Sequence, residues 1–250
     1  MKIYTSVASG KRLKDVDKYG LGFMIPSTPD RMPGEECKER VCALDNGAYI
    51  SWRRGYPFME SIFMKTMEKC YKLGVNLEFM VIPDIVGGGM KSLDFSCSWL
   101  DRLSGAKLAL AVQDGMTDRF LDLYFEISRV TTIFVGGTND WKWETLPMWK
   151  KYADKHGKNL HVGRCGTLDN LTRARELGVD SVDSSSFIRN ESWHIIDDYY
   201  NKTISRCPSC GVDPIVNKNG MFYCETKDCM MMGSFTRSAW EGHCKTGDML

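Results

Sequence analysis

Short apolar runs bounded by Gly, Pro, Asn or Asp recur along most of the chain, and each has the length of a β-strand. Several are apolar at consecutive positions rather than at every second one, which is typical of strands buried on both faces of a parallel sheet. The pattern predicts eight strands, with the sequences KIYTSV, LGFMIP, VCALDNG, FMVIPD, LALAVQDG, TIFVGG, LHVGRCG and VDSVDSSS.

Segments with helical periodicity separate the later strands, so that strand and helix alternate. Eight such repeats predict an α/β fold, a compact (β/α)8 TIM-type barrel, with a doubly wound parallel sheet as the alternative. The first two repeats are less clearly marked, because the stretch from Ser27 to Glu39 is polar and contains Pro29 and Pro33. The predicted helices are Phe58 to Leu73, Thr117 to Ser128, Glu144 to His156 and Leu168 to Leu177.

Polar residues or glycines stand at the carboxyl ends of six predicted strands. In a barrel these ends converge on one mouth, so residues distant in sequence would share one pocket. Taken singly, an Asp, Asn or Gly after a strand is an ordinary turn or helix-cap residue. Three acids and a glutamine together favour a pocket. The residues concerned are Asp45, Asp84, Gln113, Gly136, Gly137, Arg164 and Asp183.

The composition sets the class of protein. The chain of 250 residues, 43% of them hydrophobic, is long enough for one barrel-sized domain with a small appendage. Its net charge of +1 means that any phosphate-binding surface has to be local. No window approaches the roughly 20 apolar residues of a membrane span, and the first residues lack a signal-peptide core. We therefore expect a cytoplasmic protein that does not enter a membrane.

Four of the ten cysteines form a block near the C-terminus. Cys207, Cys210, Cys224 and Cys229 are spaced C-x2-C, x13, C-x4-C. Paired thiolates on two tight turns suit a tetrahedral structural Zn2+, so the block predicts a zinc ribbon over 204–250, after a barrel over 1–203. His243 and Cys244 are alternatives to Cys229 as ligands, and a rubredoxin-like iron site is the alternative metal centre. Because no open coordination position is implied, the metal is expected to support folding or nucleic-acid docking.

One stretch carries a family resemblance. The sequence HVGRCGTLDNLTRARELGVDSVDSSSFIR resembles the segment of tRNA-guanine transglycosylases in which a Gly-rich turn, a helix and a GvDxxD motif lead to the nucleophilic aspartate. Asp183 matches that nucleophile, and Arg189 matches an arginine that follows it. The sequence ALDNGAY is similar to the family's DSGGFQ loop and places Asp45 on the general acid/base. The resemblance extends over Leu44 to Arg189 and implies base-exchange chemistry.

Three further motifs in the same order extend the resemblance. VIPD places Asp84 on the carboxylate that reads the guanine edge. AVQDG is similar to the family's IVQGG and places Gln113 on a base-binding glutamine. FVGGT is similar to AIGGL, whose backbone lines the base pocket, here at Gly136 and Gly137.

The departures from the family concern the substrate more than the chemistry. Asn46 and Tyr49 stand where the family loop has Ser and Phe, so Tyr49 is expected to stack on the base, and Asp114 is added beside the pocket. The chain is shorter than the tRNA enzymes and looks most like the short phage and bacterial DNA-modifying transglycosylases. That relationship implies exchange of guanine in DNA for a 7-deazaguanine such as preQ0. The same chemistry on tRNA is the nearest alternative, and a non-catalytic nucleic-acid-binding module is the alternative of another class.

Carboxylates at these positions suit cleavage of the bond from C1′ of a nucleoside to guanine N9. Asp183 is the predicted nucleophile, and Asp45 the group that protonates the leaving base and deprotonates the incoming one. Guanine N1 and its exocyclic amine are donors that Asp84 would accept, while Gln113 and the Gly136 amide are expected to address O6. A base inside a duplex has to be flipped out to reach such a pocket.

Arginines near the predicted mouth are candidates for phosphate contacts, and solvated surface positions are the alternative. They are Arg53, Arg54, Arg164 and Arg189. The serines Ser184 to Ser186 are expected to cap the following helix or to bond the nucleophile. His161 and His194 receive no role, and the sequence leaves open whether an accessory protein opens the duplex.

Overall fold

The fold of the chain is known from a computed structural model that describes residues 1–203 together with two short strands, 215–218 and 221–224. Eight parallel strands form a closed barrel in which each strand pairs with the next one along the chain. The last strand pairs with the first, with Ile3 opposite Val182. The predicted (β/α)8 barrel is therefore confirmed. The strands are β1 (Lys2–Ser6), β2 (Gly22–Ile25), β3 (Cys42–Leu44), β4 (Leu77–Val81), β5 (Leu108–Val112), β6 (Thr132–Val135), β7 (Asn159–Val162) and β8 (Ser181–Ser184).

Helices connect the strands on the outside of the barrel. All four helices predicted from the periodicity are present, and the segments that lacked a clear signal add further ones. The described helices are α1 (Lys11–Lys18), α2 (Ala48–Arg53), α3 (Glu60–Leu73), α4 (Met90–Trp99), α5 (Asp118–Tyr124), α6 (Asn139–Lys155), α7 (Leu168–Glu176), α8 (Ser186–Arg189) and α9 (Trp193–Thr203). None of them combines the length and apolarity needed to cross a membrane.

Some boundaries differ from the prediction for local reasons. Strand β4 ends at Val81, before Pro83, which has no N–H to donate to the ladder. Helix α6 begins at Asn139, five residues before the predicted start at Glu144, and accommodates Pro147 in its interior. Helix α5 ends at Tyr124, and a short 3-10 helix, Ile127–Arg129, completes the predicted segment.

Two apolar clusters account for the core. The larger one lies between the strands and the surrounding helices. It includes buried residues of every strand, such as Ile3 and Leu110, and of helices, such as Trp149 of α6. The smaller one comes from the other face of the strands and fills the barrel itself. Its buried members are Tyr4, Ala43, Phe79, Val81, Ala109 and Ala111. The barrel is thus a packed core, and a ligand can approach only its mouth.

The described residues beyond Thr203 form a two-stranded antiparallel sheet of β9 (Ile215–Lys218) and β10 (Met221–Cys224), in which Met221 lies opposite Lys218. Both strands fall within the predicted zinc-ribbon segment. The other residues of 204–250 lie outside the described residues.

Candidate active site

The first acidic residue of the mouth is Asp45, directly after β3. Its backbone is fixed on both sides, because its amide donates to the Ile25 carbonyl at 2.9 Å and its carbonyl accepts from the Ser27 hydroxyl at 2.6 Å. Burial, and after it the negative charges of Asp183 and Asp84, together raise the pKa of its carboxyl group to about 7. Asp45 therefore binds and releases a proton near neutral pH, as a general acid/base must.

The second carboxylate, Asp84, follows β4 and is held by two side-chain amides. Asn46 Nδ2 donates to Asp84 Oδ1 at 2.8 Å and to the Ile82 carbonyl at 2.8 Å. Gln113 Nε2 lies 3.5 Å from Asp84 Oδ2. Burial raises the Asp84 pKa to about 6, and the hydrogen bond from Asn46 acts in the opposite direction. Because the Asn46 amide is a donor, it favours the ionised carboxylate, which is the form that accepts hydrogen bonds from a ligand.

Gln113, which was predicted to bind a base, has its amide engaged in the protein. Its Nε2 donates to Ser92 Oγ at 2.8 Å and to the Ile85 carbonyl at 2.9 Å, and its Oε1 accepts from the Gly87 amide at 2.6 Å. The side chain is buried. Gln113 thus fixes the loop between β4 and α4, and with it Asp84, so in this structure its effect on a ligand is exerted through that loop.

The third carboxylate, Asp183, is the third residue of β8. Its Oδ1 lies 3.1 Å from His161 Nε2, and its carbonyl accepts from the Cys165 amide at 2.7 Å. The Asp183 side chain is 18% exposed, whereas that of His161 is fully buried. One side of the carboxylate therefore faces the barrel interior and the other is open toward the mouth. The negative charge of Asp183 contributes to the raised pKa of Asp45, as expected for two carboxyl groups at the same end of the barrel.

A glycine turn carries the chain from Asp45 into α2. Gly47 has φ 79°, and a Cβ at this position would lie 2.2 Å from the Ser27 carbonyl oxygen, so only glycine fits. The Asn46 side chain completes the turn, since its Oδ1 accepts from the Ala48 amide at 2.8 Å. The turn places Tyr49 on the first turn of α2, where it is partly exposed.

Arg164, after β7, bridges two loops of the mouth. Its backbone has φ 62°, a left-handed conformation that residues other than glycine seldom adopt. Its guanidinium donates to the Gly137 carbonyl and lies 5.2 Å from the centre of the Tyr49 ring. Arg164 is exposed, and its guanidinium group makes these two contacts within the protein. The strained backbone and the cation–π contact together hold Tyr49 and the β6–α6 loop in a fixed arrangement.

The two glycines after β6 are part of the loop that begins α6. The Gly136 amide donates to the Val112 carbonyl at 2.9 Å, so this N–H, which was expected to address a base, is engaged within the barrel. Asp114 accepts from the Thr138 amide at 2.8 Å and from the Thr138 hydroxyl at 2.6 Å, and it thereby holds the start of α6. Gly137 has φ 71°, and a Cβ there would meet Asp114 Oδ2 at 2.6 Å.

The remaining arginines differ in their contacts. Arg53 is exposed and lies 6.0 Å from the Tyr49 ring centre. Arg54 forms an exposed ion pair with Asp30 at 3.1 Å. Arg189 is exposed at the end of α8 and donates to its neighbour Asn190 at 3.3 Å. Arg53 and Arg164 thus stand together beside Tyr49, while the contacts of Arg189 in the described part of the chain do not join it to the three carboxylates.

The serines after Asp183 build the turn into α8. The Ser184 hydroxyl accepts from the Ser186 amide at 3.2 Å and lies 2.7 Å from the Ser186 hydroxyl. A Cβ at Gly166 would come within 2.4 Å of the Ser186 hydroxyl, which explains a glycine in the facing loop. These contacts hold the turn before α8, whereas Ser185, the residue in the N-cap position, makes no side-chain capping bond, so the expected cap is not formed.

Two functional candidates were not foreseen from the sequence. His161 is buried and bonded to Asp183, and Lys142 is buried on α6 with its Nζ donating to the Gly163 carbonyl at 2.7 Å. Burial lowers the pKa of Lys142, and the nearby charge of Asp183 acts against that shift. The sequence did contain a signal for both residues. His161 is a polar residue within an apolar strand, and Lys142 is a charged residue on an otherwise apolar helix face.

The predicted metal ligands fall largely outside the described residues. Cys207, Cys210 and Cys229 lie outside them, and Cys224 is the last residue of β10. Among the residues that are described, no group of three or more His, Cys, Asp or Glu is arranged to hold a metal ion. Four thiolates are a donor set that suits Zn2+, and the predicted ribbon would contain the β9–β10 pair between its two cysteine pairs.

No protein-family model matches this chain, and no curated protein matches its sequence. The functional argument therefore depends on the chemistry of the residues around the mouth.

Proposed function

We propose that this protein is a base-exchange transglycosylase that replaces guanine in DNA by a 7-deazaguanine of the preQ0 type. The observation that carries the proposal is the position of Asp45, Asp84 and Asp183 at the carboxyl ends of β3, β4 and β8, where burial and the two other charges raise the pKa of Asp45 to about 7. A carboxyl group that exchanges its proton near neutral pH beside an open carboxylate is the pair that retaining glycosyl transfer requires.

In the first half-reaction, Asp183 attacks C1′ of the flipped nucleotide and forms a C1′–O bond. The C1′–N9 bond breaks, and its electron pair remains on the guanine, which takes the proton of Asp45. Neutral guanine leaves, Asp45 becomes a carboxylate, and the sugar is held as an ester of Asp183. The Asp183 side chain is 18% exposed, and its exposed part is available for this attack.

In the second half-reaction, the incoming 7-deazaguanine loses its N9 proton to the Asp45 carboxylate. The N9 electron pair attacks C1′, and the C1′–O bond breaks with its pair returning to Asp183. Both carboxyl groups are then in their starting states, and two displacements retain the anomeric configuration. Asp183 is an uncharged ester at this stage, but burial and the charge of Asp84 still raise the Asp45 pKa and support this second role, because they favour uptake of the proton.

Asp84 is the group that selects the base. Guanine and 7-deazaguanines present donors at N1 and at the exocyclic amine, and an ionised carboxylate accepts from both. Asn46 supports this role, since its amide orients Asp84 and favours its charged form, and Gln113 holds the loop that follows Asp84. A base with acceptors at these positions would meet the carboxylate with no proton to share and would bind less well.

A nucleic-acid substrate is supported by the surface beside the mouth. Tyr49 and Trp52 lie with ring centres 5.9 Å apart and planes inclined by 30°, and Trp52 is 57% exposed. Arg53 and Arg164 flank the Tyr49 ring. Exposed aromatic rings beside arginines stack unpaired bases and attract phosphates. We call Tyr49, Trp52, Arg53 and Arg164 the rim cluster.

The test is guanine exchange by the full-length protein. Radiolabelled guanine or preQ0 is offered with duplex DNA, single-stranded DNA and tRNA in parallel, and the label in each nucleic acid is counted. Label in DNA supports the proposal, whereas label in tRNA alone makes the tRNA enzyme the correct assignment. Asp183→Ala is expected to bind nucleic acid and to release no guanine. A wild type that binds but exchanges nothing would favour the non-catalytic binding module.

A further inference from the structure

We infer that His161 is a positioning residue for the Asp183 nucleophile and that Ser181 sets the protonation of its ring; this rests on the proposed function. The three side chains form a continuous polar chain inside the barrel. Ser181 Oγ lies 2.9 Å from His161 Nδ1, and His161 Nε2 lies 3.1 Å from Asp183 Oδ1. Both His161 and Ser181 are buried, so the chain is shielded from solvent up to the carboxylate.

The strand geometry brings these groups together. Ser181 and Asp183 are two residues apart on β8 and therefore face the same side of the strand. His161 lies on β7 directly opposite Ser181 in the parallel register. Two adjacent strands thus supply all three side chains: β8 supplies Ser181 and Asp183, and β7 supplies His161. No loop residue is part of the hydrogen-bonded chain.

The surroundings of the ring permit little motion. Aromatic rings enclose it, with centres 4.6 Å away for Phe134, 5.1 Å for Phe79 and 5.9 Å for Tyr4. In such an apolar enclosure a polar ring has to satisfy both nitrogens through the contacts it has. The two available partners are Ser181 and Asp183, and the ring is oriented by them.

The protonation of the ring follows from the donors and acceptors. An ionised carboxylate only accepts, so Nε2 carries the hydrogen that is donated to Asp183. In a neutral imidazole Nδ1 is then an acceptor, and the Ser181 hydroxyl donates to it. Removing the Ser181 hydroxyl should therefore loosen the preference for the Nε2–H form even though Ser181 is distant from any substrate.

The consequence concerns the two oxygens of the nucleophile. A hydrogen bond to Oδ1 fixes the plane of the carboxylate, and Oδ2 is then the oxygen that is not bonded to His161. When Oδ2 forms the ester to C1′, Oδ1 becomes the ester carbonyl oxygen and keeps its hydrogen bond from Nε2. When the C1′–O bond breaks, its electron pair returns to the carboxylate, where the same N–H stabilises the charge. The proton stays on His161 throughout.

Variants at position 161 separate positioning from packing. His161→Phe preserves an aromatic ring in an aromatic enclosure but offers no donor. In His161→Gln the amide nitrogen reaches approximately the place of Nε2, whereas in His161→Asn the shorter amide reaches approximately that of Nδ1. If His161 only fills the interior, the Phe variant should be the best tolerated. If it positions Asp183, the Gln variant should be the most active of the three.

The experiment measures kcat and KM for guanine release, with thermal unfolding of each variant as a folding check. His161→Phe and His161→Asn are expected to lower kcat about 10- to 100-fold with KM changed by less than about threefold, and His161→Gln to recover much of the loss. His156→Phe is the control, because His156 also faces an aspartate, at 3.4 Å from Asp122, but lies directly after α6 and away from the barrel interior. Activity of His161→Phe within about threefold of wild type, or a Gln variant no better than Asn, overturns the inference.

A second readout needs no nucleic acid and separates this inference from the proposed function. Ring 15N chemical shifts of His161 in the intact protein should show the neutral Nε2–H form, and Asp183→Ala or Ser181→Ala should shift that equilibrium. A ring in the Nδ1–H form, or one insensitive to both substitutions, overturns the inference even if the wild type exchanges guanine. A wild type that shows the expected ring signals but exchanges no base overturns the proposed function alone.

Discussion

Asn46 and Asp84 are joined across two loops of the barrel mouth by a hydrogen bond of 2.8 Å from Nδ2 to Oδ1. The same amide nitrogen donates to the Ile82 carbonyl at 2.8 Å, and Asn46 Oδ1 accepts from the Ala48 amide. Asn46 thus uses its entire side chain to connect the loop after β3 with the loop after β4. Asn46, which stands where the transglycosylase loop that this sequence resembles has a serine, thus orients Asp84, the carboxylate proposed to select the base.

The first prediction concerns Asn46→Ala. The pKa of Asp84, already raised to about 6 by burial, should rise further when the Asn46 donor is lost. Because the protonated carboxyl no longer accepts from both base donors, KM for the incoming base should increase about tenfold at pH 6.5 and less at pH 8.5. The measurement is KM for preQ0 across this pH range.

Asn46→Ser serves as the matched variant for that prediction, because serine is the residue in the transglycosylase loop that this sequence resembles and keeps a donor. It should show a smaller increase in KM than Asn46→Ala. An increase that is the same at both pH values would contradict the proposed link to the ionisation of Asp84.

The second prediction concerns folding stability and holds whatever the substrate is. The pKa of Asp45 is about 7 in the folded protein and 3.8 by its ordinary value, so between these pH values the folded state binds more protons than the unfolded state. Stability from this group is therefore lost as the pH rises from about 4 to about 7 and stays lost above it. Asp45→Asn removes the loss and should be more stable than wild type at pH 8 by on the order of 1–2 kcal/mol, with little difference at pH 4.

Urea unfolding at the two pH values measures this difference, and Asp122→Asn provides a control of opposite sign. The Tyr152 hydroxyl, followed by Lys155, lowers the pKa of the exposed Asp122 carboxylate. A carboxylate whose pKa is lowered in the folded protein stabilises the fold at pH values above its ordinary pKa. This stabilisation disappears as the pH falls through the lowered pKa. Asp122→Asn should therefore be slightly less stable than wild type at pH 8. An Asp45→Asn variant that follows the same direction would refute a raised pKa at Asp45.

The fold was predictable because most barrel strands are buried on both faces and appear as continuous apolar runs. Helices α1 and α4 gave no comparable signal for a physical reason. In α1 only Val16 is buried, so an apolar stripe is almost absent. In α4 two of the buried residues are Ser92 and Ser96, which bond to Gln113 and the Pro83 carbonyl. A helix that packs through hydroxyl groups has no apolar periodicity to detect.

The site was predictable only in part. Asp45, Asp84 and Asp183 could be placed at the mouth because the ends of parallel barrel strands meet there. The partners of these residues could not, since they depend on register and on loop conformation. His161 meets Asp183 through the pairing of β7 with β8, and Gln113 turns its amide to the loop of Gly87. Neither arrangement leaves a trace in the spacing of residues along the chain.

The third prediction concerns Trp52 of the rim cluster. Its side chain is 57% exposed on α2, so Trp52→Ala should change the free energy of unfolding by less than about 0.5 kcal/mol. If the ring stacks an unpaired base, affinity for single-stranded DNA should fall about tenfold. Fluorescence anisotropy with a labelled oligonucleotide measures the affinity. Tyr71→Ala is the matched control, because Tyr71 is 54% exposed on α3, and an equal effect of both variants would argue against the rim cluster as the binding surface.

The fourth prediction concerns the metal that the C-terminal cysteines imply. Purified protein should contain about one equivalent of zinc, the stoichiometry of a four-cysteine site, and iron in its place would be evident from its absorption. Cys207→Ser and Cys210→Ser should each lose the metal, because a structural tetrahedral site tolerates no missing thiolate. Cys97→Ser, an exposed free cysteine of α4, should keep it and is the control. Comparing Cys229→Ser with variants of His243 and Cys244 identifies the fourth ligand, since only the true ligand's loss releases zinc.

Because the metal is expected to support folding rather than chemistry, chelation should lower activity only as far as it lowers stability or nucleic-acid affinity. A chelated protein that stays folded and binds DNA normally but exchanges no guanine would instead show that the metal takes part in catalysis.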